Sequence, residues 1–191
     1  MTDQGLSKAT SETDLGKLSY ASYLNDEDAT KIGQGLTDPY DLIETNKDYK
    51  VFRDPKNNKI AISFKGSGSD LNDWTANALT LFHAGHYSSQ YKNGLKTVKA
   101  LVEKYGRDNV ECVGHSKGAS QCSQISKDTG VKATTFAKPK QIGFTKNAKN
   151  EKSVIAITDP VGFVPLIPGL PVKAKRIGHK NINPHSAKNY I

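Results

Sequence analysis

The apolar positions of this chain change period several times, and each change marks an element. Leu15, Leu18, Ala21, Ser22 and Leu24 recur at helical spacing behind Ser11-Glu12-Thr13-Asp14, a run that suits a helix N-cap. Asp38-Pro39 ends whatever helix precedes it and begins a turn. Tyr49-Lys50-Val51-Phe52-Arg53 and Ile60-Ala61-Ile62-Ser63-Phe64 read as strands, and Asp54-Pro55-Lys56-Asn57-Asn58 between them is turn chemistry, which predicts a β-hairpin. Gly66-Ser67-Gly68-Ser69 breaks the second strand, and residues 73–82 return to a helical period through Trp74, Ala78, Leu79 and Leu81. Residues 91–105 carry the clearest helical pattern, with Leu95, Val98, Leu101 and Val102 on one face and Gly106 as the stop. The short apolar strand 110–113 runs into Gly114-His115-Ser116-Lys117-Gly118, and a helix follows to about Lys127. Gly130 separates that helix from a strand at 132–136, and 154–157 is a further strand.

An order of strand, helix, strand, helix, strand predicts an α/β architecture with a mainly parallel central sheet and right-handed crossovers. No internal repeat or linker divides the 191 residues, so a single domain over 1–191 is expected, with 1–12 frayed at the start. A hydrophobic fraction of 36% is enough for one core, and the absence of a short repeat, with Gly and Pro scattered, excludes fibrous, collagen-like and coiled-coil classes. The apolar stretch 161–172 is too short and too rich in proline to span a bilayer, which takes about 20 apolar residues. The first 14 residues are polar, with no apolar segment of the signal-peptide kind. Two cysteines make no disulfide framework. These features predict a protein of a reducing compartment, cytoplasmic or carried inside a particle.

Charge narrows the partners. The net charge is +8, but residues 1–48 carry −6 and residues 49–191 carry +14. A basic surface of that size draws anionic lipid headgroups, nucleic acid or acidic partners through its long-range field, without choosing among them.

Gly114-His115-Ser116-Lys117-Gly118 matches G-x-S-x-G in the context that gives the pattern meaning, an apolar strand before it and a helix after it. Small residues flank the serine because the turn that lifts its oxygen clear of the sheet brings neighbouring backbone too close for a Cβ. A serine hydroxyl needs a base, and the base needs an orienting acid. Downstream acids number three: Asp128 on the helix beyond the elbow, Glu151 in a Lys/Asn-rich loop, and Asp159 directly after an apolar strand. Asp159 is the candidate, because α/β sheets place their sites at the C-terminal ends of strands. Two downstream histidines, His179 in a basic run and His185 after Asn183-Pro184, are almost equivalent by spacing. His115 reads as a packing residue beside the serine.

These segments together resemble the class 3 (fungal-type) lipases of the α/β-hydrolase superfamily, from about Leu15 to the end of the sequence. Leu18-Ser19-Tyr20-Ala21-Ser22-Tyr23 is similar to the first helix of that family, and Ile62-Ser63-Phe64-Lys65-Gly66-Ser67 with Asp73-Trp74 is similar to its oxyanion strand and the Asp-Trp pair after it. His83-Ala84-Gly85 resembles its His-x-Gly segment. Thr135-Phe136-Ala137-Lys138-Pro139-Lys140 resembles its Thr-Phe-Gly-x-Pro-Arg, with alanine in place of glycine. Asp159-Pro160-Val161 is similar to the acid segment, and His185-Ser186-Ala187-Lys188-Asn189-Tyr190 to the histidine segment, which favours His185 over His179.

The resemblance implies a compact α/β-hydrolase fold, with an N-terminal β-hairpin and helices on both faces of the sheet. It implies a catalytic Ser116, Asp159 and His185, an oxyanion hole formed by Ser67 and the Lys117 backbone N–H, and support from Asp73; His115, at the motif's variable position, is the other supporting residue. It implies hydrolysis of lipid esters, as an acylglycerol lipase or phospholipase A1, with no metal or organic cofactor. Lys117 departs from the apolar residue usual at that position. The excess of basic residues makes an anionic membrane the expected partner surface. Two other functions fit the same residues: an esterase for small esters, and a non-catalytic basic module on a hydrolase fold that would bind nucleic acid or an assembly.

Overall fold

The computed structural model describes residues 9–66, 89–139, 147–156, 175–178 and 186–191. Seven strands form one sheet in sequence order: β1 (Asp41–Thr45), β2 (Tyr49–Asp54), β3 (Lys59–Phe64), β4 (Val110–His115), β5 (Lys132–Phe136), β6 (Glu151–Ala156) and β7 (Lys175–Ile177). β1 to β3 are antiparallel, and every pairing from β3 to β7 is parallel. The expected hairpin is β2–β3. Asp54 shapes its turn, its carboxylate accepting from the Lys56 and Asn57 N–H groups, and Asn58 takes the left-handed backbone at φ 55°.

Helices α1 (Glu12–Ala21), α2 (Asp26–Gln34), α3 (Ser89–Tyr105) and α4 (Lys117–Thr129) flank the sheet. Ser11 caps α1 by accepting from the Asp14 N–H. Gly106 follows α3 and Gly130 caps α4 in left-handed conformation. Strand side chains alternate between two cores, as a period of 2 requires. On one face, Leu15, Leu18 and Ala21 of α1 pack against Phe52, Ala61, Val113, Phe136 and Val154. On the other, Val98 and Leu101 of α3 and Cys122 and Ile125 of α4 pack against Val51, Ile60, Ile62, Phe64, Val110 and Cys112. Helices therefore cover both faces of a mainly parallel sheet. Among the described residues no helix is long and apolar enough to cross a membrane.

The structure adds three elements. β1 is an edge strand that is exposed or half-buried throughout, so it shows no alternation. α2 buries only Ala29 and Gly33 and begins at the Asn25 cap. β7 makes 175–177, part of the basic run that leads to His179, the strand beyond β6. At the start of the chain, Thr10 hydrogen-bonds Tyr40, and Glu12 is already helical, pairing with Lys152 and Lys175. The helix expected at 73–82 lies outside the described residues.

Cys112 and Cys122 are free and buried, and their thiols meet between β4 and α4. Burial, then the neighbouring thiol, pushes the Cys122 pKa well above its ordinary value.

Candidate active site

β4 ends at His115, α4 begins at Lys117, and Ser116 makes the whole turn between them. Its backbone sits at φ 56°, ψ −125°, a conformation that costs an ordinary L-residue about 1–3 kcal/mol and persists only where the surroundings enforce it. They do so here. The Ser116 N–H donates to Phe136 O at the end of β5 (3.0 Å), and its carbonyl accepts from the Ala119 and Ser120 N–H groups. A Cβ on Gly114 would lie 2.5 Å from Gly118 O, and one on Gly118 would lie 2.2 Å from Phe64 O. Both contacts are with backbone, which cannot swing aside, so the two glycines of the motif are steric requirements.

Ser116 is 3% exposed, at the first turn of α4. Lys117 is the first helical residue, so its N–H is one of the four that a helix leaves without an internal partner, at the positive end of the dipole. The Lys117 side chain is half-buried. An oxygen atom of a substrate carbonyl held beside Ser116 would meet this positive end.

His115 is buried beneath the elbow. Its Nδ1 lies 2.9 Å from Tyr23 Oη, and the Gly66 N–H donates to the same phenol oxygen at 3.1 Å. The Tyr23 ring meets the imidazole edge-on at 5.9 Å, and the Tyr190 ring lies 6.0 Å away on another side. Gly66 follows β3 and passes close to the serine: a Cβ there would lie 3.3 Å from Ser116 Cβ. The His115 ring thus packs between the Tyr23 and Tyr190 rings. Tyr23 appears in the sequence only as part of a helix motif, and nothing local signals its contact with the elbow.

Asp159, His185, Ser67, Asp73 and the rejected His179 lie outside the described residues. Their neighbours are described. β6 ends at Ala156, two strands from β4, and Ser67 directly follows Gly66. The segment after His185 is a 3-10 turn, Ala187–Tyr190, whose last residue stacks on His115 and Phe136.

The other two downstream acids are engaged elsewhere. Asp128 accepts from Tyr91 and Gln124, tying α4 to α3. It stands twelve residues along α4 from Ser116, about 18 Å at 1.5 Å per residue. Glu151 is not in a loop, as the sequence suggested, but is the first residue of β6, with its side chain buried. Lys138 Nζ (2.5 Å), Ser123 Oγ (2.6 Å) and the Ala148 N–H (2.8 Å) donate to it, with the Thr135 and Ser153 hydroxyls at 2.9 Å. Burial works to raise its pKa, but Lys138 and these hydrogen bonds hold it below the ordinary carboxylate range. Val154 is level with Phe136 and hence with His115, which leaves Glu151 three residues, about 10 Å, back along the strand. Among the described residues, no group of three or more His, Cys, Asp or Glu side chains is placed to hold a metal ion. A groove of about 620 Å³ between β1–β2 and α3 contains Arg53, Lys96 and Lys104, and none of its lining belongs to the elbow.

Comparison with protein-family models returns no match, and comparison with curated proteins by sequence returns none. Comparison of folds does return matches. A mutant form of MDLA from Penicillium cyclopium superposes with a TM-score of 0.63 at 17% identity, over 93% of this chain and 81% of that one. Rhizomucor miehei lipase in its propeptide complex gives 0.58 at 18% identity, over 81% of this chain and 62% of that one. A triacylglycerol lipase from Penicillium expansum gives 0.53 at 13% identity, over 95% and 88%. The chain has the fungal-type lipase fold of the α/β-hydrolases.

Proposed function

We propose that this chain is a serine carboxylic-ester hydrolase acting on lipid esters, an acylglycerol lipase or a phospholipase A1. The observation that carries the proposal is Ser116 itself: a buried serine held at positive φ on a strand-to-helix turn, at the N-terminus of α4. Strain of that kind persists where it serves a site. In this reading Ser116 Oγ attacks the ester carbonyl carbon while His185 takes its proton. The tetrahedral oxyanion is stabilised by the Lys117 N–H and by Ser67, each donor contributing about 3 kcal/mol to the transition state. His185 then gives the proton to the leaving alcohol, and water, deprotonated in turn by His185, removes the acyl group from Ser116. Asp159 orients the imidazole and stabilises its charged form. Asp73 supports the Ser67 loop, and His115 supports the elbow.

Three observations support this assignment. The other two downstream acids, Asp128 and Glu151, are tied up away from the elbow, and Asp159 comes three residues after the end of β6. Ser67 follows the residue that passes beside Ser116. The segment that follows His185 packs on His115, which favours His185 over His179. The exposed Lys92, Lys96, Lys99 and Lys104 of α3 would draw the protein to anionic lipid.

The test is hydrolysis of p-nitrophenyl esters from acetate to palmitate by wild type and Ser116→Ala. The expected result is a preference for long chains and a loss of more than about a thousandfold in the variant. Equal rates in the two proteins would overturn the assignment. A preference for acetate would point to a small-ester esterase.

A further inference from the structure

We infer that Tyr23 is a positioning residue of this site: from the turn after α1, its phenol oxygen ties the Gly66 N–H, where the oxyanion strand leaves the sheet, to the His115 imidazole beneath the nucleophile. The inference rests on the hydrolase reading, because Gly66 leads into the proposed donor Ser67 and His115 precedes Ser116.

Three segments far apart in sequence converge on one oxygen atom. Tyr23 is 43 residues from Gly66 and 92 from His115. The phenol oxygen accepts from Gly66 at 3.1 Å and lies 2.9 Å from His115 Nδ1. With the Gly66 N–H donating to the phenol oxygen, Tyr23 is assigned as the donor and Nδ1 as the acceptor, which leaves the ring proton on Nε2. Burial raises the phenol pKa, so it remains a neutral donor over the working range.

The spacing matters because the nucleophile and the oxyanion donors must meet one reacting carbon. Ser116 is held to β5 through Phe136 O, but the approach of Gly66 to Ser116 is set laterally, between β3 and β4. Gly66 lies where a Cβ would stand 2.2 Å from Tyr23 Oη and 2.7 Å from His115 O, so the chain is pressed against both. Without the phenol oxygen, that N–H loses this partner, and the start of the proposed donor loop keeps the ties of Lys65 to Asp48 and Gln90 but loses its tie toward the nucleophile. A misplacement on the scale of 1 Å at such a site costs about 100-fold in rate.

The experiment compares wild type with Tyr23→Phe, which keeps the ring and removes the oxygen. kcat on a p-nitrophenyl ester should fall by about 10- to 100-fold with KM within about twofold, and labelling of Ser116 by a fluorophosphonate should slow in parallel. In ¹⁵N spectra, wild-type His115 should show the proton on Nε2, and Tyr23→Phe should shift both His115 nitrogens and expose the Gly66 amide to exchange. A wild-type kcat and labelling rate in Tyr23→Phe, or unchanged His115 and Gly66 signals, overturns the inference. If wild type neither hydrolyses esters nor reacts with the fluorophosphonate, the hydrolase reading fails, and the spectra still decide whether Tyr23 makes the tie. If Tyr23→Phe does not fold, His115→Asn tests the tie from the other side. It should slow kcat and Ser116 labelling in parallel, and wild-type rates overturn the inference.

Discussion

Glu151→Gln preserves the shape of a buried carboxylate and removes its charge, and the surroundings fix what that costs. In the wild type, Lys138 Nζ stands 2.5 Å from Glu151 Oε1, with side chains 10% and 0% exposed. The substitution leaves the ammonium buried without its counter-ion. It also turns one carboxylate oxygen into an NH₂ group that must face either Lys138 or the Ala148 N–H, and both are donors. Breaking a buried ion pair costs about 3–5 kcal/mol. Lys138 keeps Asn147 Oδ1 at 2.7 Å and Ser123 Oγ at 3.2 Å, which places the expectation at the lower end, about 3 kcal/mol. In a domain of this size, 1 kcal/mol moves Tm by about 2–4 °C, so circular dichroism at pH 7 should show a drop of about 6–12 °C. The pH dependence has a definite sign. The Glu151 pKa is depressed in the fold, so its stabilisation is present above the unfolded value near 4.3 and is lost as pH falls through the folded value. The gap between wild type and Glu151→Gln should therefore narrow in acid. A drop below about 2 °C at pH 7, or a gap that acid does not change, would refute the reasoning. Lys138→Met combined with Glu151→Leu should recover most of the loss, because no charge is then left unpaired.

Other expectations follow from backbone geometry and cross-helix contacts. Ser116→Gly should be more stable than Ser116→Ala by about 1 kcal/mol in urea titration, since glycine releases the positive φ and alanine retains it. Gly118→Ala should lose about 3 kcal/mol, measured the same way, because its Cβ would meet Phe64 O at 2.2 Å. Ala137 holds φ 49° where the resembling family carries glycine. Ala137→Gly should be neutral within about 0.5 kcal/mol, as relief of strain offsets the lost methyl burial and the more flexible unfolded chain. Tyr91→Phe should cost about 1.5–3 kcal/mol by removing the bond to Asp128, with hydrogen exchange rising at the start of α3.

The elbow was legible because everything it needs is local: a short apolar strand, two glycines a Cβ would wreck, and a periodic helix, all within 110–129. The hairpin was legible for the same reason, since Asp54 and Asn58 shape the turn within their own loop. What escaped the sequence depends on distance. β1 is an edge strand in which only Leu42 is half-buried against the core, so no period marks it. Glu151 looked like a loop residue because its neighbours in sequence are Lys and Asn, while the groups that bury it come from positions 123, 135 and 138. Tyr23 escaped because its partners are 43 and 92 residues away. Charge pattern could not place Lys138 either, since Lys138-Pro139-Lys140 reads as surface until the fold turns the first lysine inward.

The two buried thiols give the protein a clock. Cys112 lies four residues before Ser116 and Cys122 six after it, one on each arm of the strained turn, and these are the only cysteines in the chain. Thiolate is the species that alkylates, and neither thiol is open to solvent. A maleimide or iodoacetamide added to the native protein can therefore react only when β4 and α4 separate. The labelling rate counts those openings without an introduced probe, and it reads them at the turn where the strain is stored.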